Sequence, residues 1–395
     1  MSLIMNMKNE ITTSSAVEVI DYETLESVIH KWLLIEDPYL IKVLVGTVIA
    51  NRLQGDPVWL LMVAAPGGAK TELIRGLNGV PEIYSLSDLT PQTLLSGYKD
   101  NKKASLLLRI PSGTILSLKD FTTVLSMHRE ARQAVLSQLR EIYDGYVHKE
   151  FGTGESKRWE GKMGMIAGVT SIIDKYSSVT QTLGERFIMY RPKQPNQIKV
   201  ALRAMSNSGG EKVMREEIQQ AFSGFFAGIE LPEQIPQVDE SVKERIAHLA
   251  SFCVAARSSV MRDGHATREI DFVPEVELPT RLSKVFIMLL KAFSLIDDDP
   301  EENYQLIYRI GMDTLPLQRK IALEALISAP GVSTVAKVAQ TIGYPQNSTR
   351  RILEDLQAHG LVARFVGGNG RMDGWSLSDN AKFLLEKAFP AHESA

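Results

Sequence analysis

The hydrophobic pattern changes its period twice along the chain. Over residues 17–53 apolar positions recur at three- and four-residue spacing, as in YLIKVLVGTVIANRL, which predicts two helices broken at EDPY. GDPVWLLMVAA then runs apolar without alternation, the pattern of a strand covered on both faces. Further short apolar runs at EIYSL, GTILSL and KMGMIAGV are separated by helical stretches such as KTELIRGL and REARQAVLSQLREIYDG. Strands alternating with helices predict an α/β fold, a three-layer αβα sandwich around a mostly parallel sheet.

From 196 to about 315 the pattern is helical throughout, interrupted at SNSGGE, ELPEQIPQ and RDGHATREIDFVPEVELP, and predicts a separate helical lid. Helices are then expected at 317–328, 334–342 and 347–359, followed by short strands around a glycine-rich turn. The expected organisation is an N-terminal tail and helix over 1–34, a nucleotide-binding-type core over 35–195, the lid over 196–315 and a winged-helix domain over 316–395.

A chain of 395 residues can bury several cores. Its net charge of −3 excludes a globally basic nucleic-acid coat, so DNA contact must come from local patches. The single cysteine, Cys253, lies in the apolar run HLASFCVAARSSV and reads as a buried small hydrophobe, with no disulfide or zinc framework available. The opening MSLIMNMKNEITTSS reads as vector-derived residues and a disordered tail rather than a secretory leader. No apolar run approaches the roughly 18 residues that span a bilayer, so a cytoplasmic protein without a membrane partner is expected.

Candidate chemistry begins at AAPGGAKTELI, residues 64–74. A phosphate loop needs a strand, a turn of exposed backbone N–H groups, a lysine, a hydroxyl for Mg²⁺ and a helix, and these occur here in order. Pro66, Gly67, Gly68 and Ala69 would supply the backbone, and Lys70 and Thr71 the side chains. Ala64 and Ala69 stand where the motif has glycines; alanine at 69 fits with negative φ and is costly with positive φ. By itself the stretch reads equally as a plain strand-to-helix turn.

The strand GTILSL ends in Lys119 and Asp120, where a metal-binding or water-orienting carboxylate is expected. Either Asp120 serves alone, through water, or the register shifts by one. Thr170, at the tip of a later strand, is placed to touch a γ-phosphate or its water, and Arg186 follows a short expected helix in TLGERFIMYR. A surface salt bridge, to Glu185 or another carboxylate, is the alternative role for Arg186.

The ordered set APGGAKT, ILSLKDF, GVT, LGERF and PTRLSK resembles the phosphate loop, Walker B strand, sensor one, arginine finger and sensor two of AAA+ ATPases. With a hairpin before sensor one, it is similar to the branch containing minichromosome-maintenance-like helicases and bacterial enhancer-binding activators. The resemblance spans roughly residues 35–295, and no GAFTGA-like loop precedes Asp120. It implies ATP and Mg²⁺ as cofactors, with Lys70 and Thr71 on phosphate and metal, Asp120 on metal or water, and Thr170 as sensor one. It implies further that Arg186 reaches a neighbour's γ-phosphate, that Arg281 is sensor two, and that the chain forms a homo-oligomeric, hexameric ring. The implied activity is an ATP-driven DNA motor, a replicative helicase or initiator of a mobile element or phage.

Two further regions carry basic residues. Lys149, Lys157, Arg158 and Lys162, with Trp159 among them, lie on the expected hairpin and suit a phosphate backbone with base stacking, or else form an exposed charged hairpin whose tryptophan packs on a neighbour. In the winged helix, Val335, Val338, Ala339 and Ile342, then Ile352, Leu353 and Leu356, form the buried faces. Asn347, Thr349, Arg350 and Arg351 would then face a major groove, with Arg364 and Arg371 on the wing, although a winged helix used for protein contacts has the same core. Lys119 at an expected acidic position favours a second reading, a nucleotide-gated DNA-binding regulator with little hydrolysis. A scaffold that has lost its nucleotide site is the third.

Overall fold

Five short strands set the frame of the chain in this computed structural model, which describes residues 18–67, 69–97, 105–176, 186–233, 237–264, 268–367 and 373–389. They are β1 (Trp59–Val63), β2 (Ile83–Leu86), β3 (Ile115–Leu118), β6 (Gly164–Val169) and β7 (Phe187–Tyr190). The sheet order is β2-β3-β6-β1-β7, and every neighbouring pair is parallel. Between β3 and β6 the chain makes an antiparallel hairpin, β4 (Tyr146–Glu150) and β5 (Ser156–Glu160). β1 lacks alternation because both faces are covered: Leu60 and Met62 enter one core, and Trp59, Leu61 and Val63 the other. β7 was not among the strands expected from the apolar pattern.

Helices α1 (Tyr22–Trp32), α2 (Leu40–Arg52) and α3 (Lys70–Gly76) contribute to the first core, whereas α4 (Pro91–Leu94), α5 (Thr122–Leu125) and α6 (Arg129–Tyr143) contribute to the second. The helical stretch expected as a lid follows as α7 (Gln197–Ser206), α8 (Glu211–Gly228), α9 (Glu240–Arg257), α10 (Thr280–Phe293) and α11 (Pro300–Asp313). α2 and α10 pack closely: a Cβ built on Gly46 would stand 2.3 Å from the Phe293 ring. The interruption between α9 and α10 is no loose break but a small hairpin, β8 (Met261–Arg262) with β9 (Ile270–Phe272).

The C-terminal region is α12 (Leu317–Ile327), β10 (Ser333–Thr334), α13 (Val335–Ile342), α14 (Gln346–Ala358), β11 (Val362–Phe365), β12 (Gly374–Leu377) and α15 (Asp379–Ala388). Thr334 caps α13 by accepting from Lys337 N, and Gly343 ends it with φ +70°, a left-handed conformation open to glycine. The strands form a sheet of order β10-β12-β11. Leu353, Leu356, Trp375 and Ala381 belong to the same apolar cluster as α2, α9 and α10, so the winged-helix region shares a core with the lid. No helix among the described residues is long and apolar enough to cross a membrane.

Two buried carboxylates join these parts. Asp37, 2% exposed, accepts from Tyr190 Oη at 2.5 Å, Lys193 N at 2.6 Å and Tyr39 N at 3.0 Å, and pairs with Arg309. Asp313, on α11, accepts from Arg191 N at 2.9 Å and Lys320 Nζ at 2.5 Å. Arg191 in turn grips Asp174 at 2.8 and 3.0 Å, and Asp174 accepts from the backbone N of Leu317 at the start of α12. Burial works against the charge of Asp37, but hydrogen bonds from Arg309, Tyr190 and Lys193 more than offset it and hold the carboxyl below the usual carboxylate range.

Removing Asp37 takes from Arg309 its nearest countercharge, leaving only Asp313 at 4.0 Å, and strips Tyr190 Oη and Lys193 N of their acceptor, so Asp37→Ala is expected to cost about 3 kcal/mol in denaturant unfolding. Because its folded pKa is depressed, Asp37 contributes stability above its unfolded pKa of about 3.9 and loses it as pH falls through the folded value. Asp37→Asn should therefore unfold with a shallower pH dependence on the acid limb than the parent protein. An unchanged acid limb would remove Asp37 from this role.

Candidate nucleotide pocket and nucleic-acid interface

The carboxyl ends of β1, β6 and β3 lie side by side, the usual place for a ligand in an open parallel sheet. Val63 at the end of β1 pairs with Val169 at the end of β6, and Val169 O accepts from Ala64 N at 3.1 Å. The same carbonyl accepts from Lys70 Nζ at 2.8 Å, with Ala64 O at 3.2 Å from it, so the lysine lies folded into its own loop. Burial pulls the Lys70 pKa down, while nearby Asp120 acts the other way. Asp120 is exposed, and its Oδ1 accepts from Thr122 N at 2.8 Å. Thr170, half-buried, directly follows β6.

Loop geometry answers the question posed by its spelling. Ala69 has φ −58°, which alanine adopts without strain, and the positive angle falls on Gly67 at +80°. Pro66 and Gly67 are exposed, and Thr71 is half-buried on α3; Gly68 lies outside the described residues. A glycine not singled out in the sequence completes the arrangement. A Cβ on Gly168 would meet Lys119 O at 2.6 Å and Lys70 Cδ at 3.0 Å, so the absence of a side chain there lets Lys70 lie across the tip of β6.

Beside this loop is a cavity of about 230 Å³, walled by two segments distant in sequence, 34–40 and 192–200. Leu34, Ile35, Leu40, Pro192 and Val200 give it apolar walls, and Gly67 and Lys70 close one end. A mostly apolar cavity with a lysine and a glycine turn in its lining has the chemistry to take a ligand with an apolar body and an anionic group. Among the described residues no group of three or more His, Cys, Asp or Glu could cage a metal. Thr71 and Asp120 are the residues that would hold Mg²⁺, an ion that takes one or two protein ligands and completes its shell with phosphate oxygens and water.

Arg186 and Arg281 are placed elsewhere. Arg186, 6% exposed, bonds Asp144 through Nη2 at 2.6 and 2.8 Å, with its guanidinium 5.4 Å from the centre of the Tyr143 ring. The guanidinium of Arg281 lies 5.9 Å from the same ring and pairs with Glu277. Tyr143 packs edge-on against Trp59, the first residue of β1, whereas Lys70 sits beyond the last. Five residues of strand span about 13 Å. Both arginines therefore stand at the edge of the sheet opposite their own Lys70, and Arg281 does not join the pocket of its own chain.

The β4–β5 hairpin corrects part of the expected DNA surface. Successive strand residues face opposite ways, which turns Val147, Lys157 and Trp159 inward. Lys157 is 8% exposed and donates to Ser96 O at 2.6 Å; Trp159 belongs to the second core and is not available for base stacking. Lys162 donates to Leu53 O at 2.6 Å, and burial pushes its pKa down to about 8. Thr153 at the turn bonds Gly97 O, so the hairpin is fastened to the domain. Lys149 is half-buried against Phe151, and Arg158 is exposed beside Tyr146.

On α14 the buried face is Thr349, Ile352, Leu353 and Leu356. Thr349 donates to Pro345 O at 3.1 Å and is withdrawn from the expected DNA face. Asn347 and Arg350 are exposed; Glu354 and Gln357, not considered from the sequence, continue their stripe. Arg351 is half-buried on a flank held by Arg262 of β8, which donates to Arg351 O at 3.0 Å and pairs with Glu354 and Asp355 at 3.2 and 2.6 Å. On the wing Arg364 is exposed and held by Asp373, and Arg371 lies outside the described residues.

Residues 322–364 match the IclR helix-turn-helix domain. The match takes in α13 and α14 entire, so the C-terminal region carries a DNA-binding helix-turn-helix, and it does not extend to the parallel sheet. Comparison with curated proteins finds no match to the chain.

Arg350→Ala should weaken duplex binding and lower the slope of log affinity against log salt by about 1, as expected for one lost phosphate contact. Lys157→Ala should leave that slope unchanged and lower the unfolding midpoint instead. Equal loss of salt dependence in both variants would return the hairpin lysine to the DNA surface. Gly168→Ala should raise the ATP dissociation constant at least tenfold in titration calorimetry; unchanged affinity would dissociate the β6 tip from the site.

Proposed function

We propose that the protein is a nucleotide-gated DNA-binding regulator or remodeller built on an AAA+-type ATPase core. The observation that carries this reading is the wall of the cavity beside Lys70. Asp37 and Lys193 line that wall, and Asp37 bonds Lys193 N and, through Arg309 and Tyr190, enters the charge network that reaches Lys320 and Leu317 of α12. A ligand that moves segments 34–40 and 192–200 must therefore also work against the winged-helix side of the molecule.

In this reading Lys70 exchanges its contacts with Val169 O and Ala64 O for phosphate oxygens, and Pro66, Gly67, Gly68 and Ala69 supply backbone. Thr71 and Asp120 hold Mg²⁺, which neutralises phosphate charge. Asp120 or Thr170 orients the attacking water; Lys119 takes the place of a second carboxylate and slows hydrolysis. Arg186 and Arg281, remote from their own Lys70, serve the pocket of a neighbouring copy, which makes the working form a homo-oligomeric ring. Asn347 and Arg350 enter the major groove, with Arg364 and Arg371 at flanking phosphates.

A faster, ring-forming DNA motor is the second reading, favoured by the position of the two arginines and the sequence resemblance. The buried Lys157, and the half-buried Lys162 tied to Leu53 O, leave its channel hairpin with little grip, which favours the regulator.

The test is duplex binding by fluorescence anisotropy without nucleotide, with ADP and with a non-hydrolysable ATP analogue, beside steady-state hydrolysis. A tenfold or larger nucleotide-dependent change in affinity, absent in Lys70→Ala, is expected together with slow turnover. Asp174→Asn should retain both ligands but lose most of the coupling between them. Fast DNA-stimulated turnover with strand separation would select the motor, and nucleotide-blind DNA binding would reject gating.

A further inference from the structure

Two exposed apolar surfaces have no partner within the described chain. None of the ten residues of α7 is buried, and Ile198, Leu202 and Met205, spaced four and three apart, form one stripe with exposures of 72, 54 and 65%. The second surface lies on residues 261–264 and 268–278, where Met261 and Phe272 are cross-strand partners at 58 and 57% exposure and Leu278 reaches 76%. An amphipathic helix with its apolar side in water, and an apolar cross-strand pair on an isolated two-stranded ribbon, both bear the marks of surfaces that are covered in use.

Their charges are opposite. Residues 193–206 contain Lys193, Lys199 and Arg203 and no carboxylate, with Glu36 of the preceding segment 4.0 Å from Lys199. Residues 261–278 contain Asp263, Glu269, Asp271, Glu275 and Glu277 against Arg262 and Arg268, and Arg262 is already paired with Glu354 and Asp355. The acidic surface repels nucleic acid, which excludes DNA as the cover of the ribbon even though Arg262 fastens it beside α14.

We infer that α7 of one copy and the 261–278 segment of the next form a single head-to-tail interface. The inference rests on the oligomeric part of the proposed function and supplies its contact surface. Geometry gives the pairing a consequence. Gln197 and Val200 of α7 line the cavity beside Lys70, while the 261–278 segment runs directly into Arg281. Docking the segment on a neighbour's α7 brings Arg281 to the mouth of that neighbour's cavity. The two surfaces differ, so the contact is heterologous and propagates around a ring instead of closing a two-fold dimer.

Sedimentation velocity of the full chain, with a non-hydrolysable ATP analogue and duplex DNA, tests this by charge reversal. Lys199→Glu with Arg203→Glu makes one variant, and Asp271→Lys with Glu275→Lys the other. Each alone should raise the concentration needed for assembly at least tenfold. An equimolar mixture should assemble like the parent, because every contact in an alternating ring then joins opposite charges. Recovery in the mixture also shows that neither variant failed merely by misfolding. Parent-like assembly of each variant alone would overturn this interface and leave the ring intact. Loss in both without recovery in the mixture would overturn the pairing, and a parent protein that stays monomeric would overturn the interface and the ring together.

Discussion

Asp37 and Asp313 are charges inside the protein, and that constraint organises the surrounding structure. A buried carboxylate is tolerated only with countercharges and hydrogen bonds that satisfy its oxygens. Here they come from segments far apart in sequence: the backbone at 39, 191 and 193, Tyr190 at the end of β7, Arg309 on α11 and Lys320 on α12. The linker before α2, the exit from the sheet and the first helix of the winged-helix region are positioned by one set of demands. No one of them can shift far without leaving a buried charge exposed to apolar surroundings.

The phosphate-type loop illustrates a narrower constraint. Among its described residues the loop has a positive φ at Gly67, and it depends on a close approach at Gly168 from a different strand. Where those two are met, alanine at 69 costs nothing, because φ there is negative. The alanines in the loop are therefore compatible with its backbone, and the glycine that matters for seating Lys70, Gly168, lies about a hundred residues beyond the motif.

Legibility from sequence followed the range of the interaction. β1, β3 and β6 were readable because strands buried on both faces make continuous apolar runs, and the winged-helix helices because their periods are strong. β7, no shorter than β2 or β3, was missed because its apolar run FIMY directly follows the arginine motif that drew the reading, whereas β8 and β9 are two and three residues long, too brief for a period to emerge. Lys157, Lys162 and Thr349 were misplaced by counting residue types without assigning faces; alternation turns Lys157 inward, and the i, i+3, i+4 rows put Thr349 with Ile352 and Leu353. The cavity walls and the Asp144 partner of Arg186 were beyond reach, since each depends on segments brought together only by the sheet.

The surfaces left for DNA bear on how the molecule could work. Fastening Lys157 to Ser96 O and Thr153 to Gly97 O removes the freedom that a channel hairpin needs in order to travel with a translocating strand. The stripe of Asn347 and Arg350 is instead presented by a helix whose domain shares its core with the lid and whose flank is held by Arg262. Rigid mounting suits a reading head whose orientation is set by the body beneath it. If nucleotide moves that body, the change reaches DNA as an altered presentation of α14, and the free energy available for gating is limited to the difference in nucleotide affinity between the two arrangements.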